Sequence, residues 1–340
     1  MMNNTRADNN AAVIKLVLAF AAVYIIWGST YLAIRYAIET LPPLLMAGSR
    51  FLIAGMALFI WARARGAKLP DLMSWRRAAL IGALLLLGGN GLVVLAERSV
   101  PSGLAALLIA TEPLMIVILD WIRPGGVRPI GKVAIGLMIG FAGMILLVGP
   151  TGIVGNSTVD PFGAVLLVFA SLSWATGSLY AARSRTQTEP AMGAAIQMVT
   201  GGALLLVTGF ARGEAAMFAV DDVSLRSLSA FGYLVIFGSL VGFTCYSWLL
   251  RVTRPSLAST YAYVNPVVAV LLGWAFAGEI VTVRTLIAAV IIIAAVMLIS
   301  ANKKNDQSEE KIGSSERSRS RSTGSLARSF TEPERLKAGD

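Results

Sequence analysis

Apolar runs of about twenty residues, separated by short polar segments, recur along most of this chain. A helix needs about that length to cross the hydrocarbon core of a bilayer. The runs are apolar on every face, whereas the helices of a water-soluble core keep a polar stripe. The pattern therefore predicts an all-α membrane protein with ten transmembrane helices, at residues 13–34, 43–61, 77–96, 102–121, 131–148, 162–182, 191–210, 229–249, 256–276 and 284–301.

Composition agrees with this pattern and adds an orientation. Of the 340 residues, 56% are hydrophobic and 14% are charged, which leaves no sizeable soluble domain. With both termini cytoplasmic, fourteen Lys and Arg residues precede the tail on the cytoplasmic side and five lie in the opposite loops. Cytoplasmic loops carry such an excess, so we expect an inner-membrane protein with both termini inside. The net charge of +10 then needs no nucleic-acid partner.

The two ends of the chain are polar. Residues 1–12 are interpreted as a cytoplasmic N-terminus, and the Ser-rich residues 302–340 as a disordered cytoplasmic tail. The "RSRSRS" stretch of that tail can contact anionic lipid head groups or be phosphorylated, but a solvated tail is the favoured interpretation.

Residue types and motifs that the chain lacks argue against several kinds of catalytic and metal site. The chain has no His, and its one Cys, Cys245, lies in a predicted span and can form no Cys-pair metal site. It also lacks the Gly-rich pattern ending in Lys and Ser or Thr that binds ATP phosphates. We therefore predict no enzyme activity, no cofactor and no metal.

The chain contains an internal repeat. At an offset of 147 residues the matched pairs include Trp27–Trp174, Pro43–Pro190 and Arg50–Gln197, and at an offset of 153 they include Glu112–Asn265, Pro113–Pro266 and Trp121–Trp274. The repeats are residues 13–150 and 162–301, joined by an extracytoplasmic linker at 151–161. Each holds five predicted spans, an odd number, so the second repeat is predicted to be inverted. Inverted repeats are typical of secondary transporters, which bind substrate where the halves meet.

Three stretches resemble a known family. They are "YIIWGSTYLAIRYAI" in the first span, "PPLLMAGSRFLIAG" in the second and "STYAYVNPVVAVLLGWAFAGE" in the ninth. The chain resembles, over residues 13–301, the EamA branch of the drug/metabolite transporter superfamily. The resemblance implies secondary export of metabolites, often amino acids or related compounds, through a central cavity. In that branch we expect an uncharged residue at position 112, so the role of Glu112 has to be argued physically.

Glu112 lies about ten residues into the fourth span, roughly 15 Å deep at about 1.5 Å per residue. An ionised carboxylate there must be paired, protonated or open to water. One hypothesis is a structural ion pair with Arg50, which also lies in mid-span. The other places Glu112 on the substrate cavity, where it binds a coupled proton or a substrate amine.

Arg50 has two interpretations of its own. A clamp between helices is slightly preferred, and the alternative is a ligand for an anionic substrate group. Its repeat counterpart, Gln197, makes the position polar in both halves. Acidic residues near span ends, where hydration is easy, are interpreted as topological or capping residues: Glu97, Asp120 and Glu279.

Aromatic residues form another group of candidate site residues. Tyr24, Trp27 and Tyr31 share one face of the first span, and Tyr261 and Tyr263 flank the approach to Asn265. They line either a solute cavity or the head-group interface, and the cavity is favoured for Trp27 and Trp174. The candidate substrate-binding residues are Trp27, Tyr31, Arg50, Asn90, Glu112, Trp174, Gln197, Tyr261, Tyr263 and Asn265.

Pro113 and Pro266 are candidate hinges. Each lacks a backbone N–H and crowds the carbonyl one turn earlier, that of Ile109 or of Ala262. A static kink and a moving hinge are equally compatible with the sequence.

The inverted repeat predicts a secondary transporter that works by alternating access, and the resemblance implies that it exports small organic metabolites. The alternative is a lipid-handling flippase or another integral-membrane protein without solute export. The expected partners are a small-molecule substrate and membrane lipid, with proton coupling as a hypothesis. The sequence carries no signal for an oligomeric state.

Overall fold

The computed structural model describes residues 2–123, 128–148, 160–184, 188–253, 255–258 and 260–298, and these contain helices and no strand. The long helices of the described residues are α1 (Met2–Ala37), α2 (Pro43–Ala64), α3 (Leu72–Ala96), α4 (Ser102–Ile122), α5 (Gly131–Val148), α6 (Pro161–Arg183), α7 (Pro190–Ala211), α8 (Leu225–Val252), α9 (Tyr261–Ala277) and α10 (Val283–Leu298). Short helical turns at Glu214–Met217, Val220–Asp222 and Pro255–Ala258 lie between them.

Seven of these helices are long and apolar enough to cross a membrane: α1 to α4 and α6 to α8. In α1 the apolar part is Val13–Ala37. The helices α5, α9 and α10 are apolar but shorter, and each lies on a predicted span. The prediction of an all-helical membrane protein is confirmed in this form, whereas ten crossings in two inverted repeats stays a prediction.

Several helix ends differ by a few residues from the predicted spans, and two of these differences move a predicted domain boundary. Helix α1 begins at Met2, so the backbone of residues 2–12 continues the first helix. Helix α6 begins at Pro161, the last residue of the predicted linker, because the Asp160 carboxylate accepts hydrogen bonds from the amides of Phe162 and Gly163 at 3.3 and 3.0 Å. Linker residues 151–159 and the tail at 302–340 lie outside the described residues.

Three helices depart from regular α geometry. A π-helical stretch runs over Ala83–Gly91 in α3, and another over Leu234–Phe243 in α8. Helix α4 is interrupted between its segments Ser102–Ile109 and Glu112–Ile122. Because π-helical turns cluster at functional sites, these stretches direct attention to the region around them.

Helices from the two halves pack against one another throughout. Helix α1 contacts α8 and α9, and α6 makes the corresponding contacts with α3 and α4. Helix α2 contacts α8, α7 contacts α3, and α2 also packs along α7. A Cβ on Gly202 would lie 2.8 Å from the Leu52 nitrogen and 2.9 Å from the Gly48 oxygen, so the α2 and α7 backbones meet directly.

Two glutamates of the second half cap helices of the first. Glu214 accepts hydrogen bonds from the amides of Leu44 and Leu45 at 2.9 and 3.0 Å. Glu279 accepts from the Ser102 amide and hydroxyl, both at 2.7 Å, and from the Gly103 amide at 3.0 Å. The capping interpretation of Glu279 is therefore confirmed, and carboxylates satisfy the first amides of both α2 and α4.

Candidate functional site

A cavity lies where α1 to α4 of the first half meet α6, α8 and α9 of the second. Its empty volume, including its opening, is about 640 Å³. Residues of both halves line it, and seven of them belong to the candidate set: Trp27, Tyr31, Arg50, Asn90, Trp174, Tyr261 and Asn265. The fold therefore brings most of the predicted site residues to one place.

Three aromatic rings line the cavity, and a fourth, that of Tyr246, packs against them; we call Trp27, Trp174, Tyr246 and Tyr261 the aromatic wall. The Trp27 ring centroid lies 5.4 Å from that of Trp174, 4.8 Å from Tyr246 and 5.3 Å from Tyr261. The Trp27 indole N–H also donates to the Gly238 carbonyl at 3.2 Å. Edge and tilted contacts of this kind hold aromatic rings in fixed orientations.

Tyr246 supports two lining residues of the cavity and was not among the residues predicted from the sequence. It is fully buried in α8, its hydroxyl accepts a hydrogen bond from the Trp174 indole N–H at 3.2 Å, and it is bonded to the Ser178 hydroxyl at 2.7 Å. None of the matched pairs of the repeat includes it. The only available signal was a tyrosine inside a predicted span. Such a residue can lie beside a cavity or pack between helices, and its position in the sequence alone does not distinguish the two.

Arg50 projects from α2 into the cavity and is only 3% exposed. Its Nη2 donates to Asn90 Oδ1 at 2.6 Å, and its guanidinium carbon lies 4.4 Å from the centre of the Phe51 ring. Its Nε and Nη1 groups are buried and make no hydrogen bond to the described residues. Two donors of a buried cation are thus available to an anionic ligand group.

Glu112 begins the second segment of α4 and is fully buried. The Tyr261 hydroxyl donates to its Oε2 at 3.0 Å. Tyr261 lines the cavity, whereas Glu112 is not among the lining residues. The ion pairs between described residues do not include the hypothesised pair of Arg50 and Glu112. Glu112 therefore supports the cavity through Tyr261.

Asn265 connects α9 to α1. With its amide nitrogen facing two backbone carbonyls, it donates to Tyr24 at 2.9 Å and to Tyr261 at 3.3 Å. The Tyr24 hydroxyl bonds to the Thr260 hydroxyl at 2.6 Å, which adds a second link. The side chain of Tyr263, another candidate, lies outside the described residues.

The two candidate hinge prolines are not equivalent. Pro113 is the second residue of an α4 segment, where a missing N–H removes no bond within the helix. Pro266 lies inside the continuous helix α9. The two prolines therefore occupy different positions in their helices, and hinge motion at either proline stays a prediction.

Two further pockets lie near the cavity. Gln197 is buried but lines a separate pocket, which we call the second pocket and whose empty volume, including its opening, is about 710 Å³. The other residues that line it are Ile81, Ala181, Ala182, Ser184, Ser247, Leu250 and Arg251. A pocket of about 500 Å³, which we call the vestibule, is lined by Arg35, Ile38, Glu39, Glu97 and Arg98. Repeat symmetry thus does not bring Gln197 to the Arg50 cavity.

Comparisons with known proteins agree on one family. The EamA-like transporter family matches residues 14–149 and again residues 161–301. The chain is 43% identical over 289 residues to the uncharacterized inner membrane transporter YedA of Escherichia coli (strain K12), covering 84% of this chain and 90% of that protein. It is 26% identical to the uncharacterized transporter YvbV of Bacillus subtilis (strain 168), covering 89% and 96%.

A crystallised protein shares the fold, with a TM-score of 0.60 at 20% identity over 84% of this chain and 96% of that one. The family model covers each half separately. The chain therefore belongs to the EamA-like transporter family and is a membrane transporter.

Proposed function

We propose that this protein is a secondary transporter that exports small organic metabolites, such as amino acids or related compounds, across the inner membrane. The observation that carries the proposal is the cavity between the halves, lined by aromatic rings and by Arg50. A site of this kind offers apolar surface to a flat solute and a few fixed polar groups that orient it. Alternating access then requires the same site to face each side of the membrane in turn.

The proposal includes ten crossings in two inverted repeats. In two five-helix repeats, α1 corresponds to α6, α2 to α7, α3 to α8 and α4 to α9. The α1–α9 contact then corresponds to the α6–α4 contact, and the α2–α8 contact to the α7–α3 contact, and all four are observed. The π-helical stretches of α3 and α8 also occupy corresponding places. Helix α9, with 17 residues, spans about 26 Å at about 1.5 Å per residue, close to the thickness of the hydrocarbon core.

The excess of Lys and Arg in the loops on the side of the termini supports an orientation with both termini in the cytoplasm. With both termini inside, α1 and α3 end on the outer side, which places the vestibule outside and the second pocket near the cytoplasm. Tyr246 belongs to the aromatic wall, and Ser247 and Leu250, next on α8, line the second pocket. The aromatic wall therefore lies between the cavity and the proposed inner entrance.

Efflux from liposomes tests the proposal. Purified protein is reconstituted, the liposomes are loaded with a panel of amino acids and related organic solutes, and efflux is followed by mass spectrometry at imposed pH gradients. Trp27→Ala should abolish efflux while the protein stays folded. Trp61→Ala is the matched control because Trp61 lies on the exposed face of α2 and should leave efflux unchanged.

The same liposomes test the flippase alternative. A fluorescent phospholipid placed in one leaflet should stay there while solute leaves. Movement of the lipid between leaflets, without efflux of any solute in the panel, would contradict the export proposal.

A further inference from the structure

Glu97 is a further buried acidic residue and was not among the candidate site residues predicted from the sequence. It follows the last residue of α3, where easy hydration was expected, yet it is only 1% exposed. Both of its carboxyl oxygens are buried and make no hydrogen bond to the described residues. Burying such a group without partners is costly, so its surroundings indicate a role.

Glu97 lies between the cavity and the vestibule. Val93 of α3 lines the cavity, and Glu97, four residues later and just past the end of α3, lines the vestibule. On α1, Ile34 lines the cavity and Ile38, one turn later, lines the vestibule. One helical turn, about 5.4 Å, therefore separates the two spaces along both helices.

Charged groups face Glu97 from several elements. Arg50 on α2, Arg35 on α1 and Glu279 after α9 act on it electrostatically, and Arg98 and Glu39 line the vestibule with it. Two of these acidic groups have cationic partners: Glu279 lies 3.8 Å from Arg35, and Glu39 lies 3.6 Å from Arg226. Burial raises the pKa of Glu97 well above its usual range, the Glu279 carboxylate raises it further, and Arg35 and Arg50 lower it.

Arg50 and Glu97 thus form an unusual pair. Each is buried, each has polar atoms without a hydrogen-bond partner among the described residues, and they act on each other electrostatically without coming within ion-pair distance. A gap between opposite buried charges fits a ligand that carries both charges close together. The carboxylate of such a ligand would accept from Arg50 Nε and Nη1, and its ammonium group would donate to Glu97.

We propose that Arg50 and Glu97 are the two ends of a binding site for a dipolar head group, with the apolar part of the substrate against the aromatic wall. A proton from the vestibule occupies Glu97 when the site is empty, and the ammonium of a substrate that binds from the cytoplasm displaces this proton to water on the cytoplasmic side. This inference rests on the proposed export function and adds substrate class and coupling: substrate and proton compete, as proton-driven export requires.

Binding to the purified protein tests this assignment before any transport assay. The probes are phenylalanine, which carries both charges, 3-phenylpropionate, which carries only the carboxylate, and 2-phenylethylamine, which carries only the ammonium group. Dissociation constants come from tryptophan fluorescence or from ligand-dependent melting temperatures. Phenylalanine should bind roughly tenfold to a hundredfold more tightly than either analogue, since each buried charged contact contributes about that factor.

Variants assign each charge to a residue. Glu97→Gln should remove the preference for phenylalanine over 3-phenylpropionate, because these two probes differ in the ammonium group. Arg50→Gln should remove the preference for phenylalanine over 2-phenylethylamine, because these two differ in the carboxylate. In the wild type, phenylalanine should bind more weakly as the pH falls through the pKa of Glu97, by up to about tenfold per pH unit. Glu97→Gln should remove that dependence, whereas Glu39→Gln, a control on the vestibule, should keep it.

Equal binding of the three probes by the wild type would overturn the dipolar site even if a variant failed to fold. An unchanged pH dependence in folded Glu97→Gln would overturn the proton assignment. The liposome assay separates this inference from the export function. Efflux without the charge preference would refute the site alone, and charge-selective binding without efflux of any solute would refute export alone.

Discussion

The Tyr261 hydroxyl donates a hydrogen bond to Glu112 Oε2 at 3.0 Å and so joins α9 of the second half to α4 of the first. Both residues are buried, and the Tyr261 ring contacts Trp27 and Tyr246 in the aromatic wall. An acidic residue in a largely apolar run thus orients a ring of the cavity.

Tyr261→Phe should lower the free energy of unfolding by about 1–3 kcal/mol, because it removes a hydrogen bond to a buried carboxyl group and keeps the ring. Thermal unfolding in detergent measures the change. Tyr180→Phe is the control, since Tyr180 is among the more exposed aromatic residues, and should leave stability unchanged. Equal melting temperatures for both variants would show that the Glu112 contact contributes nothing.

Glu112→Gln and Glu97→Gln separate the two candidate proton sites. Gln at position 112 keeps an acceptor for the Tyr261 hydroxyl, so efflux and its dependence on pH should persist. Gln at position 97 removes the group that we assign to the proton, so the pH dependence of efflux should disappear. If the pH dependence of efflux disappears in Glu112→Gln and persists in Glu97→Gln, Glu112 is the proton site, as one hypothesis from the sequence has it. That result would contradict the assignment to Glu97.

Gly202→Ala should destabilise the contact between α2 and α7. Its Cβ would meet backbone atoms at 2.8 and 2.9 Å, which cannot move like a flexible side chain, and overpacking of this kind costs about 1–3 kcal/mol. Gly232→Ala is the matched control because a Cβ there meets nothing within 4 Å. In a helix, that change should be neutral or stabilise by about 0.5–1 kcal/mol. Similar melting temperatures for both variants would refute close packing at Gly202.

The stability of the empty protein should depend on the titration of Glu97. Because burial raises its pKa in the folded state above the ordinary value of 4.5, the protonated form favours folding. This contribution is fully present below that ordinary value and is lost as the pH rises through the folded-state pKa. The melting temperature should therefore fall over this range in the wild type and change less in Glu97→Gln. Parallel curves for the two proteins would show that Glu97 does not titrate.

The sequence predicted the helices well because apolar runs are a local property. Helix α6 begins at Pro161, one residue before the predicted span, and Asp160 explains this small difference because its carboxylate caps the first amides. Trp27 and Trp174 were expected on a cavity because they lie well inside their predicted spans, and both line the cavity.

The remaining features depend on contacts between distant segments. Glu97 was misinterpreted because its burial comes from packing around the end of α3, which no local pattern records. Gln197 was grouped with Arg50 through the repeat, but the inversion proposed here puts equivalent residues on opposite sides of the midplane. Its place in the second pocket agrees with that geometry. Tyr246 has no counterpart in the matched pairs, so only the fold reveals its contacts with Trp27 and Trp174.

Reciprocal access to the two pockets tests alternating access most directly. Ile38→Cys reports on the vestibule and Ser247→Cys on the second pocket, each in a Cys245→Ser background, through the rate of maleimide labelling. A solute that the liposome panel identifies as exported should raise the rate at one position and lower it at the other. If that solute changes both rates in the same direction, or changes neither, the two pockets are not alternate openings of one transport site.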